Sequence, residues 1–162
     1  MRVKSTAIKE LTISRLHKLG TAGEKLAEKT LQKNRFSKII NLNRDIPNFP
    51  YADLYAEKED LRYLISVKIR NKNEAGRNKL NSRYNLGNNC YKAAELLERI
   101  TGAQSAWLVI QLERTTYNAY FGLLSDLKGN AGIPMTPKAV KKYKCLANAL
   151  PHDLPYKELK NF

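Results

Sequence analysis

Two acidic residues and one lysine stand where they could act together. Asp53 opens the stretch DLYAEKEDLRYLISVKIR, residues 53–70, and Lys68 interrupts the apolar run near its end. A lysine among core-forming side chains is costly unless something pairs with it. Side chains alternate along a strand, so Tyr63, Ile65, Val67 and Ile69 share one face, and Arg62, Leu64, Ser66, Lys68 and Arg70 share the other. With EKED as a turn, Asp53 lies on the opposing strand and can sit beside the Ser66–Lys68 face. An acid beside a lysine on an apolar backing is a compact metal-and-ammonium site. Hard cations such as Mg²⁺ take carboxylate, carbonyl and water oxygens. The lysine can orient or help deprotonate a water, or steady charge developing on a phosphate. Glu24 follows GTAG at a helix start and is a second acid, although the helix dipole alone favours a carboxylate there.

The elements that must position these residues follow from periodicity. Residues 1–19 carry Ile8, Leu11, Ile13, Leu16 and Leu19 at helical spacing and are expected to form a helix or arm. EKLAEKTLQKNRF places Leu26, Ala27, Thr30 and Leu31 on one helix face, with Asn34 as the stop. FSKIINL reads as a strand, NRDIPNFP as a loop, and YADLYA and LRYLISVKIR as a hairpin. NKNEAGRNKLNSRYNLGNN is polar and aperiodic, a surface loop. CYKAAELLERITG predicts a helix burying Ala93, Leu96, Leu97 and Ile100, stopped by Gly102. AWLVIQL and NAYFGLL predict two strands, and TPKAVKKYKCLANAL a helix opened by Thr136 and Pro137. The expected fold is α/β: a mixed sheet in αβββαββ order, flanked by helices. The expected organisation is one domain, with a core over 20–125 and a helical extension over 126–162.

Bulk properties narrow the partner. The chain has 162 residues and a net charge of +14. Such an excess opposes compaction and points to a polyanion, nucleic acid before an anionic membrane. No run approaches the roughly 18 apolar residues of a membrane span. The basic N-terminus lacks the continuous apolar stretch of a secretory signal. Cys90 and Cys145 are far apart in sequence and read as reduced, semi-buried thiols in a cytoplasmic protein.

The string Gly20-Thr21-Ala22-Gly23-Glu24-Lys25-Leu26-Ala27, then Phe36, then Pro50-Tyr51-Ala52-Asp53-Leu54, then Ile65-Ser66-Val67-Lys68, resembles the PD-(D/E)XK nuclease superfamily, over about residues 20–125. The resemblance implies a restriction-endonuclease-like core and a Mg²⁺- or Mn²⁺-dependent endonuclease acting on DNA, of restriction, homing or junction-resolving type. It makes Glu24 the helix-borne acid, Asp53 the central metal ligand and Lys68 the catalytic lysine. A homodimer presenting two sites to two strands would suit such an activity.

Ser66 departs from the pattern, which has Asp or Glu two residues before the lysine. Three readings follow. Another acid supplies the charge, with Glu24 ahead of Glu57 and Glu59 in the turn; or the site holds one metal; or cleavage is lost and nucleic-acid binding kept. Arg70, Lys72, Arg77, Lys79 and Arg83 make the loop after the lysine suited to phosphate contacts. Tyr91 and Lys92 open the next helix, where they can face the site or simply line a surface. KKYKC, residues 141–145, is a second basic patch. Gln111 reads as a satisfied core amide, and His17 and His152 as surface residues. An RNA-binding module without nuclease ancestry would instead need exposed sheet aromatics, and Trp107, Tyr120 and Phe121 lie in strands that read as buried.

Overall fold

A computed structural model describes residues 21–44, 46, 49–74 and 78–154. The expected helix or arm over 1–19, His17 and Arg77 lie outside the described residues. Helix α1 covers 21–33. Strands β1 (Ser37–Asn41), β2 (Leu54–Lys58) and β3 (Leu61–Asn71) follow, then β4 (Arg83–Asn85), helix α2 (Cys90–Thr101), β5 (Gln104–Leu112) and β6 (Thr116–Leu123). A 3₁₀ turn (Leu124–Leu127), β7 (Gly132–Pro134), α3 (Pro137–Val140) and β8 (Lys144–Pro151) complete the described elements. Six strands form one sheet in the order β1-β2-β3-β5-β6-β8, and β4 pairs with β7 separately. Only β3 and β5 run parallel, joined through α2; the other neighbours are antiparallel. The sheet is therefore mixed, in the expected αβββαββ order.

The sheet's two faces are filled by different partners. On one, Ala27 and Leu31 of α1 pack against Leu54, Tyr63, Ile65, Leu108 and Ile110. On the other, Leu64 meets Leu97 of α2, and Trp107 and Val109 meet Tyr84 of β4 and Ile133 of β7. This alternation along β3 and β5 follows from the strand's two-residue period. Trp107 and Phe121 are buried and Tyr120 is half-buried, so these aromatics do not form an open stacking face for bases. Among the described residues, no helix is long and apolar enough to cross a membrane.

Four expectations are corrected. The helix over residues 136–150 is one short turn, capped by Thr136 Oγ1 accepting from Ala139 N at 3.3 Å, and then strand β8. Ala and Leu favour helix locally, but β6 would otherwise leave its outer backbone groups unpaired. Pairing there buries Leu146 and Ala147, and this tertiary gain overrides propensity. The described part of 126–162 is thus not a helical extension; through β8 it adds the last strand of the sheet. Second, α2 is rotated by about one position: Cys90, Ala94 and Leu97 face inward, while Leu96 and Ile100 are exposed. Third, the 71–89 loop contains β4, because Tyr84 is taken into the core. Fourth, the thiols differ: Cys90 is buried and Cys145 exposed.

Candidate active site

The chain turns sharply just before Asp53. Tyr51 adopts a left-handed φ of 58° and its hydroxyl donates to Ala106 O at 2.6 Å, anchoring the turn to β5. Burial is the main reason the Tyr51 phenol is held protonated. Asp53 N–H donates to Ile65 O at 2.9 Å and its carbonyl accepts from Leu42 N at 2.9 Å. Asp53 precedes the β2–β3 ladder, and there its side chain makes the contact to β3: Oδ2 accepts from Val67 N at 2.7 Å. The carboxylate thus reaches the backbone between Ser66 and Lys68.

Glu24 comes to the same place from α1. Asn43 Nδ2 donates to Asp53 Oδ1 at 2.9 Å and to Glu24 Oε1 at 3.2 Å, so one amide joins the two acids. Asn41 Nδ2 donates to the other Glu24 oxygen at 2.9 Å, and its own oxygen accepts from Asn43 N at 3.0 Å. Asn43 Oδ1 accepts from Phe49 N at 3.1 Å, which ties the following loop to the acid pair. Asn41 and Asn43 escaped the sequence reading; the asparagine pair in INLNRD at the end of β1 was the available signal.

Electrostatics agree with the geometry. Burial pushes the Asp53 carboxyl above its usual range, and the nearby Glu24 charge pushes the same way. Val67 N–H, Asn43 and Lys68 oppose them. Burial lowers the Lys68 ammonium, with Arg70 adding repulsion, while Asp53 counters. Ser66 is buried, in register with Trp107 of β5. Cys90, at the start of α2, is close enough to interact with Lys68. Glu57 is bound to Lys38 at 3.2 Å and to Tyr55 Oη at 2.6 Å. It lies on β2 instead of in the turn, and Glu59 occupies the turn; both sit at the far end of the hairpin from Asp53. Glu24 is the acid that joins Asp53.

The expected nucleic-acid residues are spread more widely. Arg70 is half-buried and donates to Ile69 O at 2.7 Å. Lys72 pairs with Glu113 at 3.3 Å, and Lys79 lies 4.0 Å from Glu74. Arg83 and Tyr91 meet on Asn130, at 2.8 Å from its Oδ1 and 2.7 Å from its carbonyl, and Lys92 is exposed. Gln111 accepts from Asn118 Nδ2 at 3.1 Å, as a satisfied core amide should. His152 is half-buried instead of on the open surface, its ring bonded to Glu113 O at 3.0 Å and to Leu154 N at 3.1 Å.

Gly23 lets α1 lie close enough for Glu24 to reach the site. A Cβ there would meet Ile69 Cδ1 at 2.9 Å and Cγ2 at 3.0 Å. Gly23→Ala is expected to lift α1 from β3, costing about 1 kcal/mol of stability despite alanine's helix preference. If Glu24 acts with Asp53, cleavage should fall more, about ten- to a hundredfold, because a displaced group loses its geometry. Thermal melting and a cleavage assay on the same preparation separate the two effects.

No family model matches the chain, and no curated protein matches it. Among solved structures, a 1.6 Å structure of Hjc, a Holliday junction resolvase from the archaeal hyperthermophile Archaeoglobus fulgidus, is similar. The TM-score is 0.56 at 18% identity, covering 78% of this chain and 95% of that one. The chain has a restriction-endonuclease-like fold. Within it, Glu24, Asp53 and Lys68 converge from α1, the turn before β2, and β3.

Proposed function

We propose that the chain is a metal-dependent DNA endonuclease of the junction-resolving kind. The observation that carries this is the joining of Glu24 and Asp53 through Asn43, beside Lys68, on a restriction-endonuclease-like fold. The net charge of +14 suits a nucleic-acid substrate.

The donor set fits a hard divalent cation. Two carboxylates converge on one amide, and the Asp53 charge is destabilised by burial and by Glu24, a strain that a cation would relieve. Among the described residues, no group of three or more acidic, histidine or cysteine side chains could hold a metal. Mg²⁺ commonly takes one or two carboxylates and completes its shell with water and substrate phosphate. Asp53 and Glu24 would hold it, and bound there it would polarise the phosphate and acidify a water. Asp53 is fixed by Val67 N–H, so its carboxylate is aimed before substrate arrives. Burial destabilises the Lys68 ammonium; as the neutral amine Lys68 accepts a proton from the attacking water, and as ammonium it steadies charge developing on the phosphate. Ser66 cannot contribute a second anionic ligand, which favours one metal over two. Arg70, Lys72, Arg77, Lys79, Arg83, Tyr91 and Lys92 would contact the DNA backbone. A cytoplasmic homodimer of single-domain chains would bring two sites to two of a junction's four strands.

Ser66 also favours a second reading, an inactive nuclease-fold protein that binds DNA or RNA. Incubation with a labelled four-way junction, linear duplex and supercoiled plasmid in Mg²⁺ or Mn²⁺ decides between them. Nicks placed symmetrically in the junction are the expected result; binding without nicks in any substrate selects the inactive protein.

Metal binding has its own signature. Mn²⁺ at about a hundred times its Kd should stabilise the fold by about 2.7 kcal/mol. Differential scanning fluorimetry should show a rise in Tm that chelation reverses and that Asp53→Ala lacks. An equal rise in that variant would place the cation elsewhere.

A further inference from the structure

A second group of cations lies at the opposite end of the β2–β3 hairpin from the acid pair. Lys58 ends β2, and its ammonium sits 5.0 Å from the centre of the Phe36 ring. Phe36 packs on Phe121 with ring centres 5.5 Å apart, and both meet Tyr63. Lys144, the first residue of β8, pairs with Phe121 across the β6–β8 ladder. Lys58 thus sits over the Phe36 ring, and Lys144 and Arg35, from two elements distant in sequence, come close enough to act on it. Arg35 sits in a left-handed turn, φ 66°, directly before Phe36.

Among the described residues, the cluster has little to balance it. Glu57 is engaged by Lys38 and Tyr55. Glu59 is the carboxylate acting on Lys58, while Lys144 and Arg35 oppose the Lys58 charge, Lys144 from within hydrogen-bonding reach. Two ammonium groups held that close repel each other unless an anion lies between them. A flexible lysine pair on an open surface would separate; here the Phe36 ring holds Lys58 by cation–π attraction and β8 pairing fixes the base of Lys144. A phosphate oxygen supplies the missing charge and accepts from more than one ammonium.

We propose that Arg35, Lys58 and Lys144, with Lys58 over Phe36, bind a backbone phosphate of duplex DNA at a place separate from the acid pair. Five residues of extended chain separate Asp53 from Lys58, roughly 17 Å. That interval lets one duplex reach both places, so the cluster would anchor an arm while the acid pair meets the bond to be cut. The proposal rests on the reading of the chain as a DNA-acting protein, and it extends the expected footprint, which lay on the loop after β3, to the far end of the sheet.

The test is fluorescence anisotropy of a labelled duplex with the full chain in EDTA, across a salt series. The Lys58→Gln/Lys144→Gln double variant is compared with wild type and with Lys128→Gln/Lys138→Gln, which removes equal charge from exposed positions elsewhere. Loss of one phosphate contact should make the slope of log K against log salt shallower by about one, with affinity several-fold weaker than in the charge-matched pair. Equal slopes and affinities in the two double variants would overturn the proposal, as would a wild-type chain that binds no duplex. A wild-type chain that binds but never cuts, with the shallower slope in Lys58→Gln/Lys144→Gln, would remove the nuclease reading and leave this site standing. Matching melting temperatures confirm that the variants are folded.

Discussion

Asp53→Ala is expected to lower DNA cleavage by about a thousandfold, equivalent to about 4 kcal/mol of transition-state stabilisation. Asp53 is bonded both to the β3 backbone and, through Asn43, to Glu24. Removing it takes away the fixed ligand and leaves Glu24 without a partner acid. The fold should survive. Val67 N–H loses an acceptor, which costs about 1 kcal/mol, but a destabilised charge beside Glu24 is removed as well. DNA binding in the absence of metal should be unchanged or tighter, because a negative charge facing phosphates is gone. Single-turnover cleavage and anisotropy measure the two effects on the same protein. Cleavage at the wild-type rate would show that another residue leads.

Lys68→Gln should cost about 10²–10⁴ in cleavage rate, the range for a proton-transfer group. Its role can be read from pH. Burial and Arg70 lower the Lys68 ammonium, so the neutral amine is more abundant near neutrality than in a free lysine. A neutral amine accepts a proton from water. Its fraction grows tenfold per pH unit below its pKa, so the cleavage rate should rise with pH and then level. Lys68→Gln should lose that rise. Lys68→Arg should not rescue it, because guanidinium keeps its proton. An arginine variant close to wild type, or a rate that falls as pH rises, would assign Lys68 to charge stabilisation instead.

Much of the scaffold behind these expectations was legible in the sequence. Alternation in LRYLISVKIR set the β3 faces, and the polar turn before it made the hairpin. The nearness of Asp53 to the Ser66–Lys68 stretch was expected from strand geometry. Asp53 nonetheless stands just before β2 and not on it, and reaches Val67 N through its side chain. Features set by distant partners were not legible. KCLANAL has helical residues but becomes β8 because β6 needs an edge partner. The inward face of α2 is set by Leu97, which packs with Leu64 and Ala103 while Ile100 is left exposed. Asn41 and Asn43 look like ordinary turn residues; their role appears only when α1 brings Glu24 across 17 and 19 residues of chain. The meeting of Lys58, over Phe36, with Lys144 depends on that same unforeseen strand.

Ser66 is where the sequence departs from the nuclease pattern, and its buried position beside the acid pair makes metal binding the point on which the account turns. Crystals grown in Mn²⁺, with data collected at the manganese edge, test this most directly. The expected anomalous peak lies within bonding distance of both Asp53 and Glu24, with the Asn43 amide withdrawn from between them and Lys68 within reach of a metal-bound water. A peak elsewhere in the molecule, or none at saturating Mn²⁺, would contradict a cutting site at Asp53 and leave the chain a DNA-binding protein on a nuclease fold.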